Sequence, residues 1–165
     1  MRHRKGFTLI ELLVVIAIIG LLATIGMVAF GGARSKARDA KRLADMKTIA
    51  TALEMYKLEN GRYPDPMNEF GGMDVSNIGN NFLPGLSAGG FLPRDVLDPT
   101  NDTTHCYFYY RYYPDWHYCN DATFYILGVT NFEATTNPHP NNPHFECPGR
   151  NWTAEGASWV QGAFE

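Results

Sequence analysis

The sequence predicts an α+β fold: one long N-terminal α-helix, with a transmembrane half and an amphipathic half, packed on a small antiparallel β-sheet. Three observations carry that reading. Residues 7–30 are almost wholly apolar, with Glu11 as their only charge. Apolar side chains then recur in steps of three and four through residues 34–60, the period of a half-buried helix. Two strand-forming stretches, 106–113 and 123–129, flank turn chemistry at 114–121, the pattern of an antiparallel hairpin.

The elements follow in order. Residues 1–6, Met-Arg-His-Arg-Lys-Gly, carry three fixed positive charges and no acid. At ~1.5 Å per residue, residues 7–30 span roughly 36 Å, enough for a bilayer core of ~30 Å. The amphipathic half, 31–60, offers Ala33, Ala37, Ala40, Leu43, Met46, Ile49, Ala50, Leu53 and Tyr56 as its buried stripe. Asn60-Gly61 supplies the stop, because Gly tolerates a left-handed C′ position, and Pro64 follows. Both halves together make a rod on the order of 80 Å. Gly26, Gly31 and Gly32 are its weak points, at up to ~1 kcal/mol each against Ala. Residues 61–165 form a loop-rich head. Within it, 66–99 reads as a connecting loop with one short helix, 134–151 as a Pro- and Asn-rich loop, and 152–164 as a last short element.

The 165 residues are 45% hydrophobic and 19% charged, which excludes wholesale disorder. A net charge of −3 gives no overall pull toward nucleic acid. The charge is segregated, however. Residues 34–57 hold seven basic and three acidic side chains, net +4, while 58–165 hold four and thirteen, net −9. Two readings of the basic neck stand open: a solvated face near anionic lipid headgroups, or attraction to the acidic head of a neighbouring copy.

The N-terminus departs from an ordinary secretory signal, since no Ala-x-Ala cleavage site follows the apolar core. An acid inside an apolar run costs a few kcal/mol in lipid on insertion scales and demands a partner. Lys5-Gly6-Phe7-Thr8-Leu9-Ile10-Glu11-Leu12-Leu13-Val14-Val15-Ile16, and further on Leu58-Glu59-Asn60-Gly61-Arg62-Tyr63-Pro64, resemble type IV pilins and type II secretion pseudopilins, most closely the major pseudopilin. The resemblance implies a pilin-like fold. It also implies a prepilin peptidase that cuts between Gly6 and Phe7 on the cytoplasmic side and N-methylates Phe7, and a filament-assembly role for Glu11. Cleavage would create an amine at Phe7, and pairing it with Glu11 of a neighbouring subunit would offset two desolvation costs at once. The local alternative is that Glu11 caps its own helix. The implied partners are copies of the chain, minor pseudopilins, the peptidase and an inner-membrane assembly platform, with nucleic acid only for a DNA-uptake pilin. The implied location is the cytoplasmic membrane, single-pass, with the head outside the cytoplasm and later in a filament. Counting positive charges gives three before the apolar span and five just after it, slightly favouring the opposite orientation; the resemblance decides it. Relatives often carry a Pro late in the apolar helix, and this chain has none there, leaving Gly26 as the point of local loosening.

Export favours oxidation of two of the three cysteines, Cys106, Cys119 and Cys147. Hairpin geometry puts Cys106 near Val129, about 23 Å of strand from Cys119, so Cys119–Cys147 is expected, with Cys106–Cys147 as the alternative. His139, His144 and Cys147, with His117 or Cys119, fit no zinc-finger spacing. Calcium, which the resemblance suggests, has oxygen-rich stretches at 98–102 and at Asp115 with Asp121, but neither is an EF-hand and no ligand is assigned. No Gly-x-Ser-x-Gly, Walker loop or His-Glu-x-x-His occurs, so a structural subunit rather than an enzyme is expected. The rival is a membrane-tethered, exported ligand-binding module that never polymerises. Alternate tyrosines of 107–113 belong to the core; the others suit further packing or a ligand surface.

Overall fold

A computed structural model describes residues 7–66, 73–79, 82–93, 96–114, 119 and 122–165. One unbroken helix, α1 (Leu9–Asn60, 52 residues), runs from the apolar tip into the head. Thr8 caps its start, and Gly61 closes its end at φ 73°, donating its N–H to the Lys57 carbonyl at 2.8 Å. The helix passes through Gly26, Gly31 and Gly32 without a break.

The head is built on a four-stranded antiparallel sheet. Its strands are β1 (Asp74–Val75), β2 (Tyr107–Tyr112), β3 (Phe124–Val129) and β6 (Trp159–Phe164), in the order β1-β2-β3-β6. The 66–99 region contributes β1 and one short helix, α2 (Pro84–Ala88). The 134–151 loop contains a two-stranded ribbon, β4 (Glu146–Cys147) with β5 (Arg150–Asn151). In the hairpin, Tyr107 lies opposite Val129, with Cys106 one residue beyond, near Val129 as expected. Directly paired residues share a face, so this register sets Tyr107 and Tyr109 with Leu127 and Val129 against α1. A one-residue slip would turn that set away.

The main core lies between α1 and the sheet, where Met46, Ile49 and Leu53 meet Tyr107, Tyr109, Tyr125, Leu127 and Trp159. The opposite face of the sheet is also covered. Phe108, Tyr112, Phe124, Ile126 and Val160 are buried there with Trp152, Cys119 and Cys147. Thus both alternating sets of the tyrosine-rich strand are largely core, Tyr110 is half-buried, and only Tyr113, just past β2, is exposed. The lower stripe of α1 corrects the sequence expectation. Ala33, Ala37 and Ala40 are exposed, and the residues turned inward are Asp39 and Arg42. Positions 39, 42, 46, 49, 53 and 56 keep the three–four spacing through two charged residues, which are tolerated inside because each finds a partner.

Gly128 on β3 pairs directly with Phe108 on β2. A Cβ there would lie 2.2 Å from Phe108 Cζ and 2.7 Å from the Trp159 carbonyl oxygen. Gly31 has open space around it and lies inside a helix. Gly128→Ala is expected to cost about 1–3 kcal/mol by overpacking, whereas Gly31→Ala gains up to ~1 kcal/mol of helix propensity. Chemical denaturation of the detergent-solubilised chain, followed by near-UV circular dichroism, reads both.

Candidate assembly site

Two features of α1 carry the functional geometry: its bare apolar end and the neck that fastens it to the head. Along the first, every described side chain of residues 7–25 is exposed, with Phe7 at 82% and Leu9 at 87%. The helix is long and apolar enough to cross a membrane, and its most apolar window is 0% buried in the protein's own head. Apolar surface on that scale marks a lipid or protein interface.

Glu11 lies in this surface, four residues beyond Phe7. One of its oxygens, Oε2, accepts from the Thr8 N–H at 2.9 Å and the Thr8 hydroxyl at 2.8 Å, while Thr8 Oγ1 accepts from the Glu11 N–H at 3.3 Å. This capping box satisfies orphan donors of the first turn. Within one chain, therefore, Glu11 caps its own helix. Gly6 lies outside the described residues, and Phe7 stands immediately before the cap.

The neck is an ion cluster that sequence reading missed. Arg42 is fully buried. Its Nε and Nη2 donate to the two oxygens of Asp98 at 2.7 and 2.9 Å, and its Nη1 donates to Asp39 at 2.8 Å. Nη2 also reaches Glu133 at 2.9 Å and Thr100 at 2.9 Å. Asp39 accepts from the N–H groups of Glu133 and Ala134 and from the Thr135 hydroxyl. Arg38 binds Glu133 from the solvent side. One turn of α1 thus holds two distant loops, 98–100 and 133–135.

The charges are stabilised accordingly. Burial opposes the charge on Arg42, but its bonds to Asp98 and Glu133 outweigh it and raise its pKa. Burial likewise opposes the Asp39 carboxylate, yet four hydrogen bonds hold its pKa below the ordinary value. Hydrogen bonding to Arg38, with Arg42 and Thr100 behind it, draws Glu133 from 4.5 down to about 2. A paired arrangement of this kind costs little to keep and much to break on one side. It also revises the expectation for the basic neck, because Arg38 and Arg42 are spent inside the same chain.

Cys119 and Cys147 are joined, with Cα atoms 5.1 Å apart, and Cys106 is a buried free thiol whose pKa burial pushes up. The disulfide removes both cysteines from any zinc set, and the His139 Nδ1 already accepts from the Asn141 N–H at 3.0 Å. Asp98 is committed to Arg42, and Asp102 to the amides of Thr104 and His105. His117, Asp115 and Asp121 lie outside the described residues, and among the described ones no three His, Cys, Asp or Glu side chains group as a metal site.

A rod of apolar helix continuous with an amphipathic helix that carries a small antiparallel sheet defines a pilin-like subunit. Two family models match it: the prokaryotic N-terminal methylation motif over residues 1–27, and type II secretion system protein G over residues 30–117, just over half of the chain. Among curated proteins, the type II secretion system core protein G of Klebsiella pneumoniae is 33% identical over 99 residues, covering 60% of this chain and 71% of that protein. The namesake from Pseudomonas aeruginosa is 34% identical over 98 residues, covering 59% and 69%. That from Escherichia coli K12 is 44% identical over 100 residues, covering 58% and 66%. No solved structure matches the chain. The chain belongs to the type II secretion system protein G family.

Two measurements test the neck. Arg42→Ala strands buried carboxylates and is expected to cost about 3–5 kcal/mol, and Arg38→Ala, on the solvent side of the same cluster, is expected to cost much less. Because the folded-state pKa of Glu133 is depressed, its contribution is complete above pH 4.5 and is lost as pH falls from there through about 2. A pH series of denaturation midpoints is expected to show that acid slope in the parent chain and a shallower one in Glu133→Gln.

Proposed function

We propose that this chain is a structural subunit of a type II secretion pseudopilus, held in the cytoplasmic membrane by residues 7–30 with its head outside the cytoplasm. The observation that carries the reading is the bare apolar end of α1 with a single carboxylate near its tip. Such a surface is hidden from water only by lipid or by the same surface on other copies. A prepilin peptidase cuts after Gly6 and methylates the new amine of Phe7, as the methylation motif at residues 1–27 supports. In the filament, Glu11 of one subunit faces the Phe7 amine of its neighbour, and the pair sets axial register because a one-turn slip would strand both charges. The partners are copies of the chain, minor pseudopilins and the assembly platform. The subunit transmits assembly force and performs no catalysis. Calcium remains without an assigned ligand and has no part in this reading.

Mass spectrometry of the mature chain is expected to show loss of residues 1–6 and one added methyl group at Phe7; a chain that keeps its basic hexapeptide overturns the proposal. Glu11→Ala is expected to leave cleavage intact and to abolish filaments seen by electron microscopy in overproducing cells. Normal filaments from that variant refute the register role.

A further inference from the structure

The two faces of the sheet are buried by different parts of the chain. The cluster between the sheet and α1 takes no side chain from residues 140–157. The cluster on the other face is closed by that segment, which supplies Cys147 and Trp152 with Phe145 and Ala157 packed against them. The α1–sheet core is thus complete without the segment, whereas the outer face is not.

The segment is held at its two ends. At one end of the strands, the His139 N–H donates to the Ser158 carbonyl at 2.8 Å, and the Val160 N–H donates to Asn142 Oδ1 at 2.9 Å. At the other end, Arg150 Nη1 and Trp152 Nε1 donate to the Tyr112 hydroxyl at 2.9 and 3.3 Å, and Cys147 is joined to Cys119. Between these points its only ladder is the pairing of β4 with β5, two residues each, which offsets little of the entropy of ordering the chain. The covalent link spans 28 residues of sequence. Cutting a link across a loop of that length favours the open chain on the order of a hundredfold.

We propose that residues 140–157 are a redox-sensitive flap: oxidised, it seals the outer face of the sheet; reduced, it leaves that face while the α1–sheet core stays folded. A dithiol opens it by thiol–disulfide exchange. One thiolate of the dithiol attacks one sulfur of the link, and the other cysteine leaves as a thiolate and takes up a proton. The second thiolate of the dithiol then displaces the first cysteine, which is protonated in turn. Two electrons and two protons pass to the protein, giving two cysteine thiols and a cyclic disulfide. Opening uncovers Phe108, Phe124, Ile126 and Val160, an apolar surface that marks an unfinished head. Disulfides persist outside the cytoplasm, so the flap closes on an exported head. That choice of compartment rests on the proposed function, while the flap itself rests on the head alone.

The test uses the full chain in detergent, oxidised or treated with dithiothreitol, and follows amide hydrogen exchange by mass spectrometry. A gain of about two hydrogens in intact mass confirms reduction. Exchange in 140–157 is expected to rise on the order of a hundredfold, with β2, β3 and residues 46–60 of α1 unchanged. The double variant Cys119→Ser, Cys147→Ser is expected to show the open pattern without reductant. Cys106→Ser, which leaves the link in place, is expected to keep the closed pattern. Protection of 140–157 that survives in the reduced chain or in the double variant overturns the proposal. Loss of protection throughout the head overturns it too, because the link would then hold the whole fold rather than one face. Neither result bears on cleavage after Gly6, so a failure here is distinguishable from a failure of the pseudopilus reading.

Discussion

The burial of Arg42 is the constraint on which the remainder of the structure depends. Toward the tip, residues 7–25 of α1 are exposed and carry Glu11 as their only charge; above Arg42, the helix presents a stripe to a sheet. A helix fastened only by Met46, Ile49, Leu53 and their neighbours would be held by non-directional contacts that tolerate small rotations and slips. The guanidinium fork on Asp98, with Asp39 gripping the amides of 133–134, fixes which turn of α1 meets which loop. Buried ion pairs add little net stability compared with apolar packing of the same volume, and specificity is their best-attested use. In a subunit whose long rod must be aimed, a few degrees at the neck become several ångströms at the tip, so directional contacts sit where the lever begins.

That cluster is also where sequence reading fell short. The length and continuity of α1, its stop at Asn60-Gly61, the β2–β3 hairpin and the Cys119–Cys147 option all follow from local rules: apolar period, left-handed Gly, turn composition and strand reach. Asp39 and Arg42 were counted in a basic neck because a hydrophobicity pattern has no means of showing that an acid at position 98, fifty-six residues away, will meet the helix. Their i, i+3 spacing was the available signal: an opposite-charge pair placed in phase with Met46, Ile49 and Leu53 rather than opposite them. The exact register lies beyond local rules for a similar reason. Turn chemistry bounds a hairpin to within a residue or two, and what decides is the demand that Tyr107 and Tyr109 face the helix.

The family match to protein G ends at residue 117, and the chain beyond it has its own solution to burying a sheet. A four-stranded sheet with a helix on one side leaves an apolar face open to water. Here residues 140–157 fold over that face and set Phe145 and Trp152 against Phe124. This covering carries little secondary structure, since β4 and β5 have two residues each. The Cys119–Cys147 link ties it back to the segment between β2 and β3, closing a loop whose ordering entropy the short ribbon alone offsets poorly. Trp152 and Arg150 both donate to the Tyr112 hydroxyl, so the aromatic that the sequence offers as a possible ligand surface is instead the anchor of the covering.

Glu11 has to be tolerable in lipid as a monomer and still available to a neighbour. A carboxylate has two oxygens and about four lone-pair sites. Both Thr8 donors converge on Oε2, which leaves Oε1 without a partner among the described residues. The capping box therefore meets part of the desolvation cost during storage, without requiring those bonds to be broken on assembly. In the proposed filament, an amine approaching Oε1 adds its interaction to a carboxylate already held in place by the first turn. The Glu11 side chain is already ordered by the first turn, so in that proposal less ordering entropy is lost when the neighbour arrives. On that proposal, a threonine directly after Phe7 and a glutamate three residues further on serve one end: a charge that is stable alone and more stable in company.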